Sequence, residues 1–307
     1  MAECGHRALQ RSSERVAILA GRRAACAAPL CQTAHMATRR TCVPWDELPP
    51  IAARAVVGVL TDIDDTLTTC GQITADAWQA LAALRDAGLP VMAITGRSVG
   101  WSCPFARDWP LDAIVAENGA VALFRERGEL RVEYAQDEAT RSLQSRRLVE
   151  VAQRVLREVP GATLAQDSAG RQTDIAIDHA EFARLEPALI AAAVAIMQSE
   201  GMTATVSSIH VNGWFGTHDK LSGARWIVRR RLGRDLDAER GRWVYVGDST
   251  NDQQMFGHFP LSVGVANLQQ FAEQLTIWPA YLTRGPRGQG FAEVARRLGA
   301  ARAGVAS

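Results

Sequence analysis

The sequence predicts an α/β protein, a parallel sheet covered by helices on both faces with a smaller α+β unit inserted into it. Three observations carry that expectation. The apolar runs at 56–60, 89–94 and 243–246, the first of them rich in β-branched residues, read as strands, and the first is continuous rather than alternating, as in a strand buried on both faces. Each run ends in polar residues with oxygen-bearing side chains, at the strand end where open α/β sheets bind ligands. The stretch from residue 96 to residue 219 is far longer than a single βα connection needs.

The first run, Val56-Val57-Gly58-Val59-Leu60-Thr61, leads directly into Asp62-Ile63-Asp64-Asp65-Thr66. Carboxylates crowded at a strand end repel one another and lose hydration, so the arrangement is costly without a counter-charge. A hard divalent cation such as Mg²⁺ is the natural partner. Taken alone, the same residues also read as a solvated acidic turn.

The second run ends in Thr95-Gly96-Arg97, which brings a hydroxyl and helix-start amides to the same sheet edge. Such groups suit phosphate oxygens, although the tripeptide also reads as an ordinary strand-to-helix turn. A further apolar strand, Ala113–Ala116, runs into Glu117-Asn118-Gly119-Ala120 and is followed by a hairpin around Arg127-Gly128-Glu129.

The inserted unit comes next. An amphipathic helix is expected over Glu138–Val159, closed by Pro160-Gly161. Strands are expected at Thr163–Gln166 and Gln172–Asp178 around an Asp167-Ser168-Ala169-Gly170 turn, then an Ala-rich helix over Glu181–Glu200, then strands at Thr203–Ser207 and Ile209–Phe215. The last core run, Trp243–Gly247, is followed by Asp248-Ser249-Thr250-Asn251-Asp252. If a helix begins near Ser249 or Thr250, Asp248 and Asp252 can both face the sheet edge. Gly247 allows the backbone to approach closely.

Of the 34 basic residues, Lys220 alone is a lysine. A chain that uses Arg for every other cation places its single ammonium where a compact charge is needed. A point charge can bridge a phosphoryl oxygen and a carboxylate, which a planar guanidinium does poorly. The competing reading is one surface lysine kept by chance.

Paired Asp, then Thr, then Lys, then paired Asp is the motif order of the haloacid dehalogenase superfamily, which the chain resembles from about Val56 to about Leu298. A receiver domain also uses Asp, Thr and Lys on a parallel sheet, but it is roughly half this length and lacks the Gly247-Asp248-x-x-Asn251-Asp252 element. The resemblance implies a Rossmann-like, doubly wound core with an inserted α+β cap. The helix, two strands, helix, two strands of the insertion resemble the type IIB cap, as do Asn118-Gly119 and Gly264-Val265-Ala266-Asn267. The implied boundaries are a core of 51–136 and 216–302 and a cap of 137–215.

The resemblance also implies roles. Asp62 would be the nucleophile and Asp64 the general acid and base, while Thr95 and Lys220 would hold the transferring phosphoryl group. Asp62, Asp64, Asp248 and Asp252 would form the Mg²⁺ site, Asp64 through its backbone carbonyl and Asp252 through water or Lys220. Gly96, Arg97, Asn118 and Asn251 join Thr95 and Lys220 on the substrate side, with Ser249 supporting from behind. Asp65 is assigned no chemistry. The implied activity is a Mg²⁺-dependent phosphatase acting on a phosphorylated sugar or polyol through an aspartyl-phosphate, with a phosphomannomutase-like phosphotransferase or a non-catalytic sugar-phosphate sensor as alternatives.

In the cap, His210, Asn212 and Trp214 are candidates for choosing the leaving group. Alternatively, Trp214 anchors the hinge and His210 faces solvent. Arg171 and Asp174 carry the same two readings.

With 22% charged residues and a net charge of +1, the composition gives no support to nucleic-acid binding. No apolar stretch approaches the roughly 20 residues that span a bilayer. Arg229-Arg230-Arg231 reads as a solvated helix face. Residues 1–50 read as a poorly ordered extension, with seven Arg by position 40 against Glu3 and Glu14, and with Met36 as a natural start. Cys4, Cys26, Cys31, Cys42, Cys70 and Cys103 form no close Cys-x-x-Cys pair, and reduced thiols in a cytoplasmic protein are expected over a zinc site near His35.

Overall fold

The computed structural model of the protein describes residues 42–304. In chain order the core opens with β1 (Val43–Pro44), α1 (Pro50–Ala55), β2 (Gly58–Thr61), the small hairpin β3 (Thr68–Thr69) and β4 (Gln72–Ile73), and α2 (Ala75–Asp86). It continues with β5 (Val91–Ile94), α3 (Val99–Asp108), β6 (Ala113–Ala116), β7 (Val121–Glu126) and β8 (Glu129–Tyr134). The cap follows as α4 (Glu138–Glu158), β9 (Thr163–Leu164), β10 (Asp174–Asp178), α5 (Pro187–Ser199), β11 (Thr203–Val206) and β12 (His210–Trp214). The chain then re-enters the core through α6 (Lys220–Leu232), β13 (Trp243–Gly247), α7 (Gln253–His258), β14 (Leu261–Gly264), β15 (Tyr281–Leu282) and α8 (Arg287–Arg302).

The core sheet runs β1-β15-β14-β13-β2-β5-β6-β7-β8, parallel from β1 to β6 and antiparallel across β7 and β8. It grows from β2 outward through β5 and β6, then returns to the other side of β2 with β13. The fold is therefore doubly wound, and its switch point lies between β2 and β13, where such sheets leave a crevice at their carboxyl ends. Adjacent residues of β2 go to opposite faces: Val59 packs with Leu81, Phe291 and Leu298, and Leu60 with Leu221, Ile227 and Met255. Both faces being covered explains why the runs are continuously apolar.

The cap is a four-stranded antiparallel sheet, β11-β12-β10-β9, backed by α4 and α5. Its own core gathers Val151, Val155, Ile177, Met197 and Val211. The helix expected over Glu181–Glu200 instead begins at Pro187, which occupies the first helical position. A proline lacks the amide hydrogen and is tolerated in the first turn but not deeper. Upstream, the Asp178 carboxylate accepts the backbone N–H groups of Ala180, Glu181, Phe182 and Ala183 and so holds these residues in a loop.

The extension expected over residues 1–50 also needs correction at its end. Val43 and Pro44 pair in parallel with Tyr281 and Leu282, Trp45 meets the Tyr281 ring edge-on at 5.5 Å, and both Trp45 and Leu48 are buried in the core. Two-residue strands show no periodicity, so the apolar anchors themselves were the usable signal. Met36, His35, Cys4, Cys26 and Cys31 lie outside the described residues. Cys70 and Cys103 are free thiols. No helix among the described residues is long and apolar enough to cross a membrane.

One backbone contact sets the height of Lys220. Asp219 caps α6 by accepting the Ser222 N–H at 2.7 Å, and the Ser222 hydroxyl in turn accepts the Asp219 N–H at 2.8 Å, a capping box. This helix start lies against Gly119, whose φ is +110° and whose added Cβ would fall on the Asp219 carbonyl. Opposite it, a Cβ on Gly223 would come within 2.6 Å of the Gly119 Cα. Gly119→Ala is expected to cost about 1–3 kcal/mol through strain and displaced backbone, measured as a lower urea midpoint with an unchanged slope.

Candidate active site

Three neighbouring strands deliver the candidate residues to one crevice. Asp62 and Asp64 follow β2, Thr95 to Arg97 follow β5, and Asp248 follows β13, while Lys220 enters as the first residue of α6. The Lys220 Nζ donates at 2.7 Å to Asp62 Oδ1 and at 2.7 Å to Asp252 Oδ1. All three side chains are buried.

Asp252 is fully occupied. Its Oδ1 also accepts the Tyr245 hydroxyl at 2.5 Å, and its Oδ2 accepts the backbone N–H groups of Asp248 at 2.9 Å and Ser249 at 3.2 Å. Gly247 makes this possible, since a Cβ there would overlap the Asp252 carboxylate. Asp252 thus anchors Lys220 and the strand-end turn, with no lone pair directed to a further ligand. Asp62 differs, because Lys220 engages Oδ1 and leaves Oδ2 for other work.

Among the described residues the remaining carboxylate, Asp248, has only neutral donors: Asn267 Nδ2 at 3.1 Å and Thr66 Oγ1 at 3.5 Å. Oxygens of Asp62, Asp248 and Asp252 lie within 4.8 Å of one another. Burial pushes Asp62 up to about 7, with the Lys220 ammonium opposing and Asp252 and Asp64 adding to the rise. Burial, then Asp62 and Asp252, push Asp248 well above the usual carboxylate range. Burial works against the Lys220 charge, but Asp252 and Asp62 outweigh it and hold its pKa above the ordinary lysine value. One ammonium does not balance this cluster. A hard divalent cation between Asp62 and Asp248 fits the donor set and relieves the cost that the shifts record.

Asp64 lies apart from the acidic cluster. Its carboxylate receives Arg97 Nε at 3.0 and 2.9 Å and Arg97 Nη2 at 2.8 Å. Thr95 Oγ1 accepts the Arg97 N–H at 3.1 Å, so its own hydroxyl hydrogen is the group presented to a ligand. The Ser249 hydroxyl donates to Asn251 Oδ1 at 2.9 Å.

The cap closes over these groups through polar contacts. Ser98 N–H donates to Asp167 at 2.9 Å, Arg171 Nη1 and Asn212 Nδ2 both donate to the Gly96 carbonyl, and Glu117 accepts the Gln172 and Thr173 N–H groups and the Thr173 hydroxyl. Thr250 Oγ1 donates to the Val206 carbonyl. Arg171 pairs with both Asp167 and Asp174. Asn118 and Asn212 donate to Asp174, which burial raises to about 7, with Arg171 opposing and Glu117 adding.

The reading of His210 as a solvent-facing strand residue is overturned. It is buried, with Nε2 2.9 Å from Glu181 Oε2. Trp214 packs on the His218 ring and donates to the His218 carbonyl, which braces the return from cap to core. Sequence reasoning missed Glu117, Asp167, Glu181 and Tyr245 as members of the site. Only Glu117, beside Asn118, carried a local signal.

Residues 59–145 match the haloacid dehalogenase-like hydrolase family. A search of curated proteins finds no match. Among solved structures, the sucrose-phosphatase of Synechocystis sp. PCC6803 in complex with sucrose and phosphate is 17% identical, covering 80% of this chain and 98% of that one, with a TM-score of 0.55. The C-terminal domain of trehalose-6-phosphate phosphatase from C. albicans is 13% identical over 84% of this chain and 96% of that one, TM-score 0.57. A Thermoplasma acidophilum protein is 15% identical over 79% and 98%, TM-score 0.59. At these identities the likeness is one of fold. The matched segment carries β2, β5 and the residues that follow them, and over that segment the chain is similar to the haloacid dehalogenase-like hydrolases.

Proposed function

We propose that this protein is a Mg²⁺-dependent phosphatase that hydrolyses a phosphorylated sugar or a related small-molecule phosphomonoester through an aspartyl-phosphate. The observation that carries the reading is the Lys220 ammonium held between Asp62 and Asp252, beside an Asp248 that makes no ion pair among the described residues.

Asp62 Oδ2 is the attacking oxygen, because Oδ1 is held by Lys220. Lys220 Nζ and the Thr95 hydroxyl take the phosphoryl oxygens, so charge that builds on the group meets fixed donors rather than reorganising water. Asp64 gives a proton to the leaving oxygen and later takes one from the water that cleaves the aspartyl-phosphate. Asp62, Asp248 and the main chain at Asp64 would hold Mg²⁺, which would supply charge neutralisation to the carboxylates and the phosphoryl group. The cap excludes water from this step.

Support for the substrate class comes from two of the proteins similar in fold, a sucrose-phosphatase and a trehalose-6-phosphate phosphatase, and from the polar side chains of Asp174, Asn212, His210 and Asn118 gathered where the cap meets the core. Transfer of the phosphoryl group to a sugar hydroxyl, as in a mutase, is the alternative fate of the same intermediate. Phosphate release without a bisphosphorylated activator separates the two.

Phosphate release from a panel of sugar phosphates is expected to require Mg²⁺, to stop on chelation and to return on adding the ion back. Asp62→Asn is expected to lower kcat by about 10³-fold or more, with an unchanged circular dichroism spectrum. Lys220→Arg keeps the charge but not the point geometry, and a fall in kcat/KM of about 10²-fold is expected. A variant of near-normal activity at either position would remove the mechanism.

A further inference from the structure

Arg97 joins two carboxylates that belong to different parts of the fold. On one edge of its guanidinium are Nε and Nη2, bonded to Asp64 of the core. On the other edge, Nη1 reaches Glu181 Oε2 at 3.1 Å and Nη2 reaches Glu181 Oε1 at 2.7 Å. Nη2 is therefore shared, with Asp64 Oδ1 on one side at 2.8 Å and the cap carboxylate on the other. The Arg97 guanidinium is buried and lies 4.8 Å from the centre of the Trp101 ring, so its plane is supported from one face as well.

Glu181 is itself held from behind. His210 Nε2 lies 2.9 Å from Oε2, and the Asp178 carboxylate ties down the backbone of the loop that carries Glu181. Asp178 and His210 face each other in the β10–β12 register, so loop and histidine are fixed by the same strand pair. The His210 and Arg97 hydrogen bonds overcome burial and hold the Glu181 carboxyl down at about 2, which keeps it an anion. The result is a continuous line, Asp64–Arg97–Glu181–His210, crossing from core to cap. A guanidinium bound along one edge can pivot about that edge, whereas one bound along two edges cannot.

We propose that Glu181 is a positioning residue for proton transfer at Asp64, acting through Arg97, so that seating the cap and orienting Asp64 are one event. The inference rests on the phosphatase reading above. As the bond from Asp62 Oδ2 to phosphorus forms, the bond from phosphorus to the leaving oxygen breaks, its electron pair stays on that oxygen, and the oxygen takes the proton that Asp64 releases. In the second half, water adds to phosphorus and gives its proton to Asp64, and the Asp62 carboxylate is restored. Only a leaving oxygen that is strongly basic depends on the first of these proton transfers.

Single-turnover release of p-nitrophenol from p-nitrophenyl phosphate and of phenol from phenyl phosphate tests this, with saturating Mg²⁺. The two substrates fill similar space, but p-nitrophenolate departs as a stable anion and phenolate needs the proton. Glu181→Gln is expected to slow phenol release by about 10-fold or more, with p-nitrophenol release changed less than about 3-fold and the half-saturating concentrations of both nearly unchanged. Glu181→Ala, read the same way, guards against a local effect of the new amide. Equal losses on both substrates, the result of simple cap docking, would overturn the proposal, and so would no loss on either. Wild-type protein that releases neither product would instead sink the phosphatase reading, and this proposal with it.

Discussion

The rest of the site depends on one buried triad, Asp62–Lys220–Asp252. Three charged groups withdrawn from water are tolerable only if each finds its partner at close range, and removing one leaves the others stranded. That demand explains the architecture around them. Parallel strands β2 and β13 set Asp62 and the turn bearing Asp252 side by side, and the Gly119–Gly223 contact lets α6 descend far enough for its first residue to reach both. Tyr245 and two backbone amides take up what remains of Asp252. With that carboxylate spent, the burden of excess negative charge falls on Asp62 and Asp248, where a hard cation would fit.

A second charged line runs at right angles to this logic, from core to cap. The seam is closed by groups that reach across it: Glu117 serves the backbone of 172–173, Gly96 serves Arg171 and Asn212, and Arg97 serves Glu181. Apolar burial within the cap is confined to its own sheet and helices. A seam made of directional hydrogen bonds and ion pairs can separate and reseat in one geometry, which is what access to an enclosed crevice requires. The positions that would orient a proton donor and the positions that would dock the cap overlap in Arg97.

Much of the core was legible in the sequence because its signals are local. A strand covered on both faces is apolar throughout, and a strand end that carries function breaks off into acid or hydroxyl, so Asp62, Thr95 and Asp248 could be placed from their neighbours alone. The isolated lysine in an arginine-rich chain marked Lys220 for the same reason. Local signals failed where they were short or ambiguous. Val43–Pro44 is too brief to show a period, and an Ala-rich stretch beginning at Glu181 looks helical until Pro187 and the Asp178 carboxylate are seen to delay the helix.

The sequence by itself determined the order of the strands' chemical endings, the doubly wound core, the inserted cap and the candidacy of Asp62, Asp64, Lys220, Asp248 and Asp252. Tertiary structure alone decided how those charges are shared: that Asp252 is consumed by Lys220 and Tyr245, that Asp64 turns to Arg97 instead of joining the acidic cluster, and that Glu181 and His210 stand at the seam. The physical reason is that a carboxylate's role follows from which donors reach its oxygens. Most of those donors lie far away along the chain, so only packing chooses among them.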